Sequence, residues 1–147
     1  MSELKLVLTD GGRSKSKRPK QTNDCTVRAL AIAVNQPYDV VYDALAKGGR
    51  KCSSGFNIDT WLWKNRDNVF GYKAIMIESY KFELIQNIAH KISKGRYLIC
   101  IRDHVYAFVN NAVHDETFKH GKRSYNDYHI ELIWKFVKIK RGKNGKR

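Results

Sequence analysis

The chain contains no apolar run near the roughly 20 residues that span a bilayer, and the segment after Met1 lacks a signal-peptide h-region. A membrane protein and export by a signal peptide are therefore not expected. Its three cysteines, Cys25, Cys52 and Cys100, form no CxxC pair and no even-numbered framework. That excludes a disulfide scaffold and leaves a reduced, intracellular protein without structural zinc, metal or cofactor as the simplest reading. Zinc-finger spacing, an aromatic RNA-binding signature and a phosphate loop are all missing. So are internal repeats and a low-complexity core. Acidic residues are scarce, 14 against 28 Lys and Arg, for a net charge of +14. What is present suits one domain with tails. A chain of 147 residues with 42% apolar side chains has enough material for an ordinary core.

The charge is unevenly placed. Residues 1–20 contribute +4 and residues 135–147 contribute +7, so the body between them is close to balanced at +3. Lys15, Lys17, Arg18 and Lys20 interleave with small residues, and Lys140 and Arg141 open a similar C-terminal run. Such arms bind phosphate backbones through counterion release, or simply solubilise the protein. The expected organisation is a basic arm over 1–20 with a short strand at Leu4–Leu8, a domain over 21–139, and a basic tail over 140–147. Residues 11–20 and 140–147 offer little apolar surface and are expected to be mobile or only loosely packed.

Hydrophobic spacing gives the elements. Val27, Leu30, Ala31 and Val34 fall at helical intervals behind Asn23 and Asp24, either of which can cap a helix reaching about Asn35. Pro37 opens a second helix with Val40, Val41, Ala44 and Leu45 on one face, stopped at Gly48-Gly49. A short helix is expected over Ile58–Lys64 and a strand over Tyr72–Ile77. A longer helix should run from Ser79 to Lys94, with Phe82, Ile85, Ile88, Ala89 and Ile92 inward. Strands follow at Arg96–Ile101, His104–Asn110 and Ala112–Glu116, and a last one at Ile130–Ile139. Helices first and a mostly antiparallel sheet second describe an α+β domain.

Cys25 sits where the free N–H groups and dipole of a helix N-terminus favour an anion, which suits a nucleophile. A small buried cysteine is the alternative, and Cys52 and Cys100 fit that description. A nucleophilic cysteine needs a base, and the base needs an orienting acceptor. Among the five histidines, His104 passes a geometric test. If Asn110-Asn111 form a two-residue hairpin turn, Tyr106 faces Asp115, and His104 projects to the same side one pair further on. Asp115 is then its diagonal neighbour. His114 points to the opposite face.

Further residues carry a resemblance. Asn23-Asp24-Cys25-Thr26-Val27-Arg28-Ala29-Leu30, then Tyr38 and Val41-Tyr42-Asp43-Ala44-Leu45, are followed late in the chain by Gly95-Arg96-Tyr97, His104-Val105-Tyr106, Val113-His114-Asp115 and Trp134. In this order they resemble small bacteriophage proteins of papain-like cysteine-peptidase fold, over about residues 18–136. The resemblance implies a papain-like α+β fold, N-terminal helices packed on a mostly antiparallel sheet, with Cys25 as nucleophile, His104 as base and Asp115 as orienter. Pro19 stands where the papain pattern has its oxyanion Gln, so Gln21 and Asn23 are the substitutes. Asn110-Asn111 replace the usual hairpin glycine, and Glu116 replaces the Thr that commonly follows the Asp. The implied activity is that of a thiol hydrolase on a peptide or isopeptide bond, in a host cytoplasm or virion. The alternative is a non-catalytic phage protein whose basic arms bind nucleic acid or a virion component.

Overall fold

Helical and alternating periodicity separate in the fold as they do in the sequence. The computed structural model describes residues 4–116 and 125–140. Strand β1 (Lys5–Leu8) is followed by helices α1 (Cys25–Ala33), α2 (Tyr38–Lys47) and α3 (Ile58–Asn65). Then come β2 (Tyr72–Ile77), a one-turn helix α4 (Ile85–Ile88), β3 (Arg96–Ile101), β4 (His104–Val109), β5 (Ala112–Asp115) and β6 (Leu132–Lys138). Short 3₁₀ turns occupy Arg13–Lys15, Ala89–Lys91 and Tyr125–Asp127. The strands form one sheet ordered β1-β5-β4-β3-β6-β2. Its pairings are antiparallel except β1 on β5, which is parallel. The architecture is α+β. Among the described residues no helix is long and apolar enough to cross a membrane.

Both faces of the central strands are covered, which explains why β3 and β4 read as nearly continuous apolar runs. One face of the sheet, with Leu98, Cys100, Val105, Ala107, Trp134 and Phe136, packs on Val27, Leu30, Val41, Leu45 and Leu62 of the three helices. The other, with Tyr97, Ile99, Tyr106, Phe108, Val113 and Ile133, is covered by Ile85, Ile88, Ile92, Tyr125 and Ile130. Helix α1 ends two residues earlier than expected, because Asn35 turns left-handed at φ 52° and Gln36 N–H closes back on the Ala31 carbonyl at 2.9 Å. Val40 of α2 is exposed rather than inward.

The long helix expected over 79–94 does not form. Phe82 adopts φ 73°, its N–H bonds the Ile130 carbonyl at 2.8 Å, and Ile130 N–H returns to Glu83 at 2.8 Å. This pairing fixes an extended stretch where the helix would start. Ile85, Ile88, Ala89 and Ile92 are buried as the spacing implied, but Phe82 is 74% exposed.

The basic arm is also not loose. Residues 10–18 are turned on themselves by Asp10, which accepts from the Gly12 and Ser14 N–H groups, and are held against the domain by Arg13, Arg18 and the Lys17 N–H on Asp39. Arg18 donates to Asp39 at 2.6 Å and Asp43 at 2.8 Å and lies 3.9 Å over the Tyr42 ring. Composition shows the charge of such a segment but not the carboxylates waiting for it on α2. Lys15, Lys17, Lys20 and Lys140 are exposed; Arg141 lies outside the described residues, as does most of the tail over 140–147.

Candidate active site

Cys25 is the first residue of α1, half-buried where the helix meets the start of β4. Asp24 occupies the N-cap position, yet its carboxylate does not cap the helix. It is drawn instead to Arg28 Nε (3.0 Å), the Tyr38 hydroxyl (2.7 Å) and Arg13 (3.2 Å). Neither Asn23 nor Asp24 therefore serves as the side-chain cap expected from the sequence. The first N–H groups of α1 are left for an anion at Cys25.

The hairpin sets the other two residues. Asn110 and Asn111 take φ values of 49° and 67°, the left-handed pair that a two-residue turn matching strand twist requires. The ladder runs Val109↔Ala112, Phe108↔Val113, Ala107↔His114, which is the register anticipated from the turn. Asp115 thereby lies diagonal to His104 on the same face, and its Oδ2 is 2.8 Å from His104 Nε2. Cys25 is the ring's second partner, each side chain shifting the titration of the other. With Nε2 taken by Asp115, Nδ1 is the nitrogen left for the sulfur.

The electrostatics follow from that chain. Burial opposes a charged His104, but the bond to Asp115, the bond to Cys25 and their charges win, and the ring is pushed up to about 9. Burial likewise raises the Cys25 thiol. The His104 bond and charge, the Val105 N–H and the Arg28 charge outweigh it, so its pKa lies below the ordinary value. A depressed thiol beside a raised imidazole is a thiolate–imidazolium pair. Cys100 behaves oppositely: 4% exposed, donating to Asp59 Oδ1 at 3.4 Å, it is pushed well up by burial. Cys52 is exposed, with a thiol lowered by bonds from Gln21, Tyr42 and Ser53.

Cys25, Asp103 and His104 sit on the divide between two hollows. One of about 370 Å³ is lined by Arg13, Gln21, Asn23, Arg28 and Glu116. The other, about 480 Å³, is lined by Phe56, Ile58, Asp59, Ile101 and Glu131. A hollow thus lies on each side of the cysteine. Gln21 and Asn23 border the first, held by the loop after α2: Gln21 Oε1 accepts from Ser53 N–H and Arg50, and Asn23 donates to the Ser53 carbonyl at 3.0 Å. Arg50 gets there through a left-handed Gly49 at φ 113°, whose turn ties Arg50 N–H to the Leu45 carbonyl at 2.9 Å.

The sequence reading gave no role to the charged frame behind the triad. Arg28, 7% exposed, bonds Asp24 and also donates from Nη1 to Asp115 Oδ1 at 3.1 Å. Arg13 grips Glu116 with both nitrogens, at 2.8 and 2.9 Å, so Glu116 anchors the N-terminal segment to the site. The i, i+4 spacing of Asp24 and Arg28 was the available signal, though it does not announce burial. Among the described residues no group of three His, Cys, Asp or Glu side chains is arranged to hold a metal.

No family model, curated protein or solved structure matches the chain.

Proposed function

We propose that the protein is a papain-like thiol hydrolase, related to the small phage peptidase-like proteins its motifs resemble, that cleaves a peptide or isopeptide bond. The observation that carries this reading is His104, bonded at Nε2 to Asp115 and partnered by Cys25, with which it lines the same hollows. In the reaction the Cys25 thiolate attacks the acyl carbon, and the oxyanion is received by the Cys25 N–H with the Gln21 or Asn23 amide beside it. The His104 imidazolium gives its proton to the departing amine, leaving a thioester. His104, now neutral, takes a proton from water, whose oxygen attacks the thioester; the acid leaves and the thiolate–imidazolium pair is restored. Asp115 keeps the ring oriented throughout. A hollow on each side of Cys25 favours a substrate whose chain continues past the bond in both directions.

The test is a short pulse of iodoacetamide with peptide mass mapping, alongside incubation with a randomised peptide pool. Cys25 should be labelled in a His104-dependent way. Cys100 should stay inert, and exposed Cys52 should react alike in wild type and His104→Ala. Cleavage of pool members should vanish in Cys25→Ala. Labelling of Cys25 indifferent to His104→Ala, with no cleavage, would sink the proposal. The exposed Lys15, Lys17, Lys20 and Lys140 support a second property, salt-sensitive contact with nucleic acid or another polyanion. Cys25→Ala should leave that contact unchanged.

A further inference from the structure

Resting on the thiol-hydrolase reading, we infer that Arg28 is a positioning residue that fixes the proton of His104 on Nε2 and obliges the third member of the triad to be a carboxylate. Arg28 is held from behind by Asp24, whose Oδ1 accepts from Nε at 3.0 Å and whose other oxygen accepts from Tyr38 at 2.7 Å. The guanidinium is thereby aimed, and its Nη1 donates to Asp115 Oδ1 at 3.1 Å. A guanidinium only donates and does not lose its proton in a protein. One oxygen of Asp115 is therefore committed to Arg28, and the carboxylate cannot rotate away. The other oxygen, Oδ2, is 2.8 Å from His104 Nε2. An ionised carboxylate only accepts, so Nε2 must be the donor. Nδ1 is then the nitrogen able to take the Cys25 proton.

An amide cannot replace this carboxylate while Arg28 is present. Asn at position 115 has one oxygen for two donors. Arg28 can never accept, so the oxygen would face Arg28 and the NH₂ would face His104. Nε2 would then have to accept, which moves the neutral ring's proton to Nδ1, opposite the thiol. Cys25 would lose its base although every atom stayed in place. Replacing Arg28 by Gln removes the conflict, because Gln can turn its own carbonyl toward the Asn NH₂. The Asn oxygen is then released to His104.

The experiment compares full-length wild type, Asp115→Asn and Arg28→Gln/Asp115→Asn. The readouts are the His104 tautomer, by long-range ¹H–¹⁵N NMR of ¹⁵N-histidine protein above the ring's pKa of about 9 where it is neutral, and iodoacetamide labelling of Cys25 at pH 6. Asp115→Asn should move the neutral ring's proton to Nδ1. It should also slow labelling about 10-fold, because an unperturbed thiol is only about 0.3% thiolate at pH 6, offset in part by its greater intrinsic reactivity. The double variant should restore the Nε2–H tautomer and most of the labelling rate. A general loss of packing would not be repaired by a second buried substitution. Asp115→Asn keeping its proton on Nε2, or a folded double variant no better than the single, would overturn the inference. If the double variant fails to fold by circular dichroism, the tautomer of Asp115→Asn decides alone. Wild-type labelling independent of His104 would instead defeat the hydrolase reading, and the tautomer comparison would still judge Arg28.

Discussion

His104 is the group whose titration most directly tests the triad. Its side chain is 13% exposed, and burial on its own would lower an imidazole below its ordinary 6.5. Asp115 at 2.8 Å and the bond to Cys25 reverse the sign and hold the ring at about 9. The imidazolium therefore persists through neutral pH and is lost only as pH rises through that value. A rise of about 2.5 units is worth ~3.4 kcal/mol of preference for the charged ring at 1.36 kcal/mol per unit, and it is what remains of the two partners' contribution after burial has opposed it. Asp115→Ala removes the larger partner while burial still opposes the charge, so the midpoint should fall by at least about one unit. At pH 8 a ring with a pKa near 9 is about 90% charged and one returned to 6.5 about 3%, a ~30-fold drop in the charged fraction. The assay is an NMR titration of the ring Cε1 protons of the five histidines, assigned by His104→Ala. Because Cys25 and His104 interact, the midpoint belongs to the pair, and Cys25→Ser should lower it too. A His104 that titrates at or below 6.5, or ignores Asp115→Ala, would refute the reasoning.

Three other expectations concern the frame around the site. Gly11 passes over α1 at φ +69°, where an added Cβ would lie 2.9 Å from Arg28 Cα and 3.0 Å from the Arg28 carbonyl oxygen. Gly11→Ala should therefore cost about 1–3 kcal/mol in urea unfolding, and a neutral result would mean the segment does not lie there. Deleting residues 1–20 removes β1 and the Arg13 bonds to Glu116 and Asp24, so the shortened chain should lose thermal stability and slow its Cys25 labelling. Retention of both would return the segment to a solubilising arm. Asn111→Gly, at φ 67°, should be neutral or stabilising because the turn already needs a left-handed residue there. Asn110→Val, at φ 49°, should cost about 1 kcal/mol or more by strain at a position β-branched residues avoid. Equal effects of the two would argue against the two-residue turn.

The parts of the site that were legible in the sequence are those governed by short-range geometry. A two-residue turn fixes strand register, and register fixes which side chains share a face. Asn110-Asn111 were therefore enough to place Asp115 beside His104 without knowledge of anything else. Cys25 was legible for a similar reason, as the position after a polar pair at the head of an apolar helical repeat. The larger failures are cases in which a distant partner overrides a local pattern. The apolar spacing of residues 82–92 is satisfied equally by a helix and by a pinned turn followed by one helical turn. Only the bonds from Phe82 and Glu83 to Ile130 choose between them, and those bonds span a connection of nearly fifty residues.

The charged frame shows the same limit more sharply. Arg13 meets Glu116 across 103 positions and Arg28 meets Asp115 across 87, so nothing near Arg13, and near Arg28 only the i, i+4 spacing to Asp24, distinguishes either from a solvated cation. Read by composition, Arg13 and Arg18 belong to a basic arm. In the fold each neutralises carboxylates that would otherwise repel one another around α1 and α2. The buried frame follows from the chemistry of its middle member. Asp115 must stay charged to raise His104, and a carboxylate that is 3% exposed needs a fixed counter-charge that cannot itself compete for the proton. Lysine in that position would offer a proton that burial could release; arginine does not. Arg28 then requires Asp24 to aim it, and Asp24 requires Tyr38 and Arg13. Each charged residue behind the triad is thus a consequence of keeping one buried aspartate ionised beside one histidine.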